Sequence, residues 1–199
     1  MCGIAGIYGV ERLEHPEERM RAMTQAMAHR GPDAEGVYSG KNIVLGHRRL
    51  SIIDLNEASN QPFTSLDGRY TLVYNGELYN YKSIKAQLTE FDFRTDSDTE
   101  VVLHAFIKWG MKALQLFNGM FAFAFWDNEE EKLWIGRDRL GIKPLYYANV
   151  DHSLVFASEL RSILASGLVK PKLDDTSLVD YLRYQTVHAP KTMIEGVFM

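Results

Sequence analysis

The first nine residues constrain this chain more than any other stretch. They read Met1-Cys2-Gly3-Ile4-Ala5-Gly6-Ile7-Tyr8-Gly9, an apolar strand pattern with glycine at every third position. The single cysteine of the 199 residues stands directly behind the initiator methionine. Glycines within a strand allow other backbone or a ligand to approach closely, so this strand is predicted to have close neighbours on its faces.

Removal of Met1, which is usual when the next residue is small, would make Cys2 the terminal residue. It would then carry a thiol and a free α-amine on one Cα. The nucleophile and the base that activates it would belong to a single residue. On position alone, however, the simpler interpretation of a lone cysteine is a small apolar residue in a first strand.

Composition excludes several classes of protein. A hydrophobic content of 46% in 199 residues predicts one globular domain with its own core. The net charge of −4 and the lack of a basic run argue against a nucleic-acid partner. No apolar run is long enough to span a bilayer, and no signal-peptide pattern opens the chain. One unpaired cysteine excludes an intramolecular disulfide and favours a cytoplasmic location.

Hydrophobic periodicity predicts short strands flanked by helices, an α+β layered arrangement. Met20, Met23 and Met27 form a core stripe on the first helix. The strand that starts at Arg69 is predicted to end at Asn75-Gly76-Glu77 and turn into a helix, where a backbone N–H can face a ligand. An acidic residue of the Asp96–Glu100 segment is expected to cap the next helix, and Ser158 a later one. The predicted strands are 3–9, 35–39, 42–47, 69–74, 120–126, 132–136, 144–148 and 154–157, and the clearest helices are 16–28, 158–165 and 175–185.

Other kinds of catalytic site lack their motifs. The six histidines show no zinc-ligand spacing, and one cysteine cannot supply a thiolate cluster, so no metal site is expected. The chain has neither a phosphate-binding Gly-rich loop with Lys-Ser/Thr nor a Gly-x-Ser-x-Gly elbow. His29 or His47 could serve Cys2 as a base, although a structural role is the commoner one for such histidines.

Several motifs, in this order, resemble class II glutamine amidotransferases. The closest resemblance is to the N-terminal glutaminase domain of glutamine-dependent asparagine synthetases, and it covers the chain nearly end to end. It implies an N-terminal nucleophile hydrolase fold, a four-layer αββα sandwich. The motifs are Met1-Cys2-Gly3-Ile4, His29-Arg30-Gly31-Pro32-Asp33, Arg49-Leu50-Ser51-Ile52, Asn75-Gly76-Glu77, Ser97-Asp98-Thr99-Glu100 and the segment from Gly136 to Tyr147.

The same resemblance implies hydrolysis of the glutamine side-chain amide to glutamate and ammonia, with one role for each matching residue. Arg30, Asp33 and the loop from Arg137 to Gly141 are assigned structural roles. The implied site consists of Cys2 as nucleophile, Asn75 and Gly76 as oxyanion donors, Arg49 for the substrate carboxylate, Asp98 and Glu77 for its ammonium, and Leu50 and Ile52 as pocket lining.

The resemblance also implies a longer protein. Residues 1–185 would form the amidotransferase domain, and residues 186–199 a linker and the start of a synthetase domain that lies outside this chain. The final segment, Ile194 to Met199, is predicted to begin a strand that has no partner. L-glutamine and the synthetase domain are the expected partners, and a homodimer is left open. No cofactor is expected here, since ATP and Mg²⁺ would belong to the synthetase domain.

Two alternatives stay open. The domain could serve another ammonia acceptor within the same class of enzymes. If Met1 is retained, Cys2 lacks its free amine, and the chain would be a catalytically silent module that keeps the fold.

Overall fold

The computed structural model describes all 199 residues and contains a five-stranded and a four-stranded antiparallel sheet. The strands are β1 (Gly3–Tyr8), β2 (Ala34–Ser39), β3 (Ile43–Arg49), β4 (Phe63–Thr64), β5 (Tyr70–Leu78), β6 (Gly119–Asp127), β7 (Lys132–Arg137), β8 (Tyr146–Val150) and β9 (Ser153–Ala157). The helices are α1 (Pro16–Ala26), α2 (Tyr81–Lys85), α3 (Asp98–Trp109), α4 (Leu160–Ala165) and α5 (Asp175–Tyr184), with 3₁₀ turns at Glu57–Ser59 and Gly110–Gln115.

The opening strand is the centre of its sheet. The strand order is β2-β3-β1-β9-β8 in the first sheet and β4-β5-β6-β7 in the second. In β1, Gly3 lies opposite Arg48 of β3, so Cys2 extends toward the end of β3 and the loop after it. Cys2 therefore lies at one end of the central strand of this sheet.

The two sheets pack face to face. Ile4 and Leu45 of the first sheet meet Val73 and Trp126 of the second, and all four side chains are fully buried. Gly6 shows why β1 needs glycine, because a Cβ there would lie 2.0 Å from the Phe156 ring. Alternate side chains of each strand face the helices on the outside.

Helices cover both outer faces. Met20 and Met23 of α1 and Met27, which follows its last residue, are fully buried against the first sheet, as the stripe predicted. The side chains of α3 bury the outer face of the second sheet in the largest core cluster. The layers run α-β-β-α, which confirms the predicted α+β sandwich.

The predicted turn at Asn75-Gly76-Glu77 is wrong. β5 continues to Leu78, because these residues pair with β6, Asn75 with Ala122 and Gly76 with Phe121. Helix α2 begins only at Tyr81. Asn-Gly favours a tight turn in isolation, but pairing with a long neighbouring strand keeps it extended here.

Two predictions near the strand ends also differ from the structure. The final segment has a partner, since Phe198 exchanges two backbone hydrogen bonds of 2.8 Å with Tyr147 of β8. Ser158 does not cap α4. Its hydroxyl accepts a hydrogen bond from Ile4 N at 3.0 Å instead, and thereby ties β1 to the end of β9.

Candidate active site

The structure brings all the sequence-predicted site residues to one cavity of about 320 Å³. It opens where β1 begins and β3 and β5 end, near the N-terminus of α3. A volume of this size is in the ordinary range for small-molecule sites, ~300–1,000 Å³. The predicted residues that line it are Cys2, Arg49, Leu50, Ile52, Asn75, Gly76, Glu77 and Asp98.

Cys2 is held at both its thiol and its carbonyl. Its Sγ lies 3.4 Å from Leu50 N and 3.7 Å from Leu50 O. Its carbonyl accepts a hydrogen bond of 2.9 Å from Arg30 Nε. Arg30 in turn pairs with Glu159 at 3.2 Å. These contacts fit the structural role assigned to Arg30, which fixes the backbone of the nucleophile.

The neighbouring loops are anchored by two aspartates. Asp33 accepts a hydrogen bond of 2.8 Å from Ser51 N. In the Arg137–Gly141 loop, Asp138 accepts from the backbone N–H of Leu140, Ile142 and Lys143. Both aspartates accept hydrogen bonds from backbone N–H groups, as expected of residues that anchor loops.

Asn75 carries a buried donor without an acceptor. Its side chain is 1% exposed, and the Nδ2 atom makes no hydrogen bond. Alternation along β5 places it on the face of Val73, which packs between the two sheets. Buried amide groups are almost always paired, so an unpaired one beside a thiol marks a position for a ligand acceptor.

The Gly76 N–H is directed away from β6. Its opposite residue, Phe121, uses both of its backbone groups on Asp138 instead: Phe121 N donates to Asp138 Oδ2 at 3.2 Å, and Asp138 N donates to Phe121 O at 2.7 Å. Gly76 therefore presents its N–H at the free edge of β5, where no side-chain acceptor meets it.

Neighbouring N–H groups on the same edge are satisfied. Tyr74 N donates to Gln61 Oε1 at 2.6 Å, and Leu78 N donates to Asp98 Oδ2 at 2.9 Å. Gln61 Nε2 also donates to Tyr74 O at 3.1 Å, so its amide acts as a substitute for a pairing strand. Gly76 stands between these two satisfied positions and opens on the cavity.

Asp98 and Glu77 are two carboxyl groups of the cavity that form no ion pair with a basic side chain. Ser97, not an acidic residue, caps α3 by accepting from Glu100 N, and this frees Asp98 from the capping role. Asp98 makes no ion pair, and the Glu77 side chain makes neither a hydrogen bond nor an ion pair, although the Glu77 backbone pairs with β6. Burial, helped by the charge of Glu77, raises the pKa of Asp98 to about 6. Two unneutralised carboxyl groups in one cavity fit a cationic ligand.

Arg49 ends β3 and is 6% exposed. Its Nη1 donates to Asn56 O at 2.9 Å and to Asn60 Oδ1 at 2.8 Å, and its Nη2 donates to Asp54 O. Nε and one Nη2 proton have no acceptor in the protein. Arg49 therefore anchors the loop after β3 and has two N–H groups without a partner.

The remaining predicted residues fall into two groups. Leu50 is half-buried and Ile52 is 72% exposed, so these apolar side chains form the mouth of the cavity. His47 is fully buried, its Nε2 lies 3.2 Å from Tyr74 O, and burial lowers its pKa to about 3. His29 contacts Glu159 at 2.9 Å. Neither histidine lines the cavity, which fits their structural interpretation.

Sequence reasoning missed several residues that line the cavity, among them Gln61, Tyr74 and Lys143. The signal for Lys143 lay in the Gly136–Tyr147 motif, whose start had been assigned a structural role. Met1 lines the same cavity.

No group of three or more His, Cys, Asp or Glu side chains is arranged to hold a metal ion. None of the helices has the length and hydropathy needed to span a membrane.

Known proteins resemble this chain in sequence and fold. A sequence profile described as a glutamine amidotransferase domain matches residues 1–199. The chain belongs to the glutamine amidotransferase domain family. Asparagine synthetase [glutamine-hydrolyzing] 3 of Bacillus subtilis is 37% identical over 203 residues, which cover 100% of this chain and 32% of that protein.

Two further known proteins resemble a smaller part of this chain. Amidase chry2 of Gibberella zeae is 44% identical over 154 residues, 76% of this chain and 23% of that protein. A solved structure of glutamine phosphoribosylpyrophosphate amidotransferase from B. subtilis shares the fold, with a TM-score of 0.71, 24% identity and coverage of 83% of this chain and 44% of the other. The chain spans about a third or less of the length of these curated relatives.

Proposed function

We propose that this domain hydrolyses the side-chain amide of L-glutamine through Cys2 and supplies the ammonia to an asparagine synthetase. The observation that carries the proposal is the cavity itself. It joins one thiol, one buried amide donor without an acceptor, and two carboxyl groups without a cation. A free amino acid with a terminal amide has the groups that these partners lack.

The substrate's two charged ends match the two ends of the cavity. The free Nε and Nη2 protons of Arg49 form a fork suited to the α-carboxylate. Asp98 and Glu77 receive the α-ammonium. Leu50 and Ile52 contact the methylene groups. With both ends held, the amide carbon is directed toward Cys2 Sγ, and proximity of this kind makes a large contribution to rate.

The reaction proceeds in two balanced steps. The Cys2 thiol transfers its proton to the α-amine of Cys2, directly or through a water, and the thiolate attacks the amide carbon. Asn75 Nδ2 and Gly76 N–H stabilise the oxyanion. The amine returns the proton to the leaving nitrogen, and ammonia departs from a thioester. Water, deprotonated by the same amine, then releases glutamate and restores the thiol.

Removal of Met1 is part of the proposal. Met1 lines the cavity and blocks the Cys2 amine, so its removal both supplies the base and enlarges the space for substrate. A chain that retains Met1 would be the silent module described above.

The acceptor rests on the longer relatives. We propose that residues 186–199 lead into a synthetase domain that uses ATP and Mg²⁺ and receives the ammonia, in a protein that acts in asparagine biosynthesis. A second candidate is an amidotransferase with another acceptor, because a relative 44% identical to this chain is named an amidase. ATP- and glutamine-dependent conversion of aspartate to asparagine by the full-length protein would separate the two.

The direct test is release of ammonia from L-glutamine by the chain with Met1 removed, verified by intact mass. Cys2→Ala is expected to abolish the release and to leave the melting temperature within a few degrees. Unprocessed chain is the matched control and is expected to be inactive. Ammonia release that survives Cys2→Ala would contradict the mechanism.

A further inference from the structure

We propose that the Tyr74 hydroxyl is a third group that holds the α-ammonium of the substrate, together with Asp98 and Glu77. The inference rests on the proposed function and adds a specificity-determining residue to it. Neither the family motifs nor the predicted site include this side chain.

The Tyr74 hydroxyl has no partner in the protein. The residue is 2% exposed, and Oη is buried without a hydrogen bond. A buried unpaired hydroxyl destabilises a fold, and most such groups find a partner. The rest of the residue is well satisfied, since its N–H and C=O both bond to Gln61. The side chain is therefore rigidly placed with an unused polar end.

Tyr74 is one of the residues that line the cavity. A Cβ added to Gly76 would lie 2.6 Å from Tyr74 Oη, so the hydroxyl rests against the Gly76 backbone. Two residues further along the same edge, Leu78 N bonds to Asp98. Burial first, and then the negative charges of Asp98 and Glu77, raise the pKa of Tyr74. The phenol thus stays protonated and lies in the field of both acids.

The chemistry of an ammonium group fits these three partners. It has three N–H donors and no acceptor. Asp98 Oδ2 already accepts from Leu78 N, which leaves Oδ1, and the Glu77 carboxylate is unused. The lone pairs of Tyr74 Oη supply the third acceptor. An amide substrate without the α-amine gains nothing from this hydroxyl.

The test compares Tyr74→Phe with its parent in binding two ligands, L-glutamine and 4-carbamoylbutanoate, which is glutamine without the α-amine. Binding is measured by calorimetry in Met1-free chain that also carries Cys2→Ala, so that no hydrolysis interferes. A hydrogen bond to a charged group corresponds to roughly a tenfold change in Kd or more. We expect Tyr74→Phe to raise the Kd of glutamine about tenfold and to leave that of 4-carbamoylbutanoate unchanged. Tyr38→Phe, on β2 outside the cavity, is the control and should change neither.

Thermal stability gives a second readout. Because Tyr74→Phe removes an unpaired buried hydroxyl, the ligand-free variant is expected to melt roughly 2–4 °C higher than its parent. A lower melting temperature would reveal an internal partner and contradict the proposal. Equal losses of affinity for both ligands, or no loss for glutamine, would contradict it as well.

Failure of the proposed function and failure of the Tyr74 role give different results. If glutamine binds but the Met1-free chain with Cys2 intact releases no ammonia, the hydrolytic role is wrong and the ammonium site can still stand. If ammonia is released and Tyr74→Phe binds glutamine as tightly as its parent, only the role of Tyr74 is wrong.

Discussion

Two acids on the first turn of α3 have opposite environments. Asp98 accepts one hydrogen bond, from Leu78 N, and burial raises its pKa to about 6. Glu100, two residues later and fully buried, accepts from Arg94 N, Thr95 N and Thr95 Oγ1. Despite the opposing effect of burial, these bonds and His104 lower the pKa of Glu100 to about 2.

The difference separates a structural acid from the acid that we propose binds the substrate. Glu100 has its bonding capacity filled by its own chain, whereas Asp98 keeps an unfilled oxygen on a cavity. The same distinction holds for amides on and near β5. Asn75 Nδ2 is unpaired, whereas Asn80 bonds to Leu116 O at 2.9 Å and to Asn118 N at 3.0 Å. In both pairs, the residue that lines the cavity is the one with an unfilled hydrogen-bonding position.

The largest predicted effect distinguishes the two asparagines. Asn75→Ala removes an oxyanion donor, so kcat for glutamine hydrolysis should fall by about 10²–10³. Its melting temperature should hardly change, because Nδ2 has no partner to lose. Asn80→Ala is the matched control and should lower the melting temperature by roughly 2–4 °C with kcat unchanged. Equal kcat values for both variants would refute the assignment of Asn75.

The next effect distinguishes the two acids. Asp98→Asn removes a carboxylate from the ammonium site and should raise KM for glutamine by about 10–100-fold. Glu100→Gln should leave KM within about twofold but lower the free energy of unfolding by about 1–3 kcal/mol, since a buried network loses its acceptor. Steady-state kinetics and denaturant unfolding measure the two quantities. A rise in KM for Glu100→Gln would break the distinction.

The smallest effect is the response to pH. The ammonium requires ionised Asp98, so KM should rise by about tenfold per pH unit as pH falls below about 6. Stability should respond in two ways. Ionisation of Asp98 opposes folding, and this cost appears as pH rises from about 4 through 6, because its folded pKa is raised. Glu100 stabilises the fold above about pH 4.5, and this contribution is lost toward pH 2, because its folded pKa is lowered.

A KM that stays constant between pH 5 and 7 would contradict the role of Asp98 in the ammonium site. Asp98→Asn provides the reference profile, since it cannot titrate and should lose the rise below about pH 6.

The local sequence pattern correctly predicted those elements whose structure depends on residues close in sequence. The methionine stripe of α1, the helix that begins at Asp98 and the strands around Asp151 follow from periodicity and turn residues. Local pattern wrongly predicted a turn at Asn75-Gly76, because pairing with β6, which is distant in sequence, keeps these residues extended. Gln61 was missed for the same reason. Its side-chain amide bonds to the backbone of Tyr74 at the edge of β5, and no local sequence pattern predicts this contact. Resemblance predicted the motif residues of the site, whereas Tyr74 was identified only in the structure.

The most direct measurement is labelling of the Met1-free chain with a glutamine analogue that carries an electrophilic diazoketone in place of the amide. The predicted result is one adduct per chain, on Cys2, prevented by excess L-glutamine and absent from the unprocessed chain. Labelling that L-glutamine does not prevent, or that proceeds equally with Met1 in place, would contradict the claim that an unmasked Cys2 faces a glutamine site.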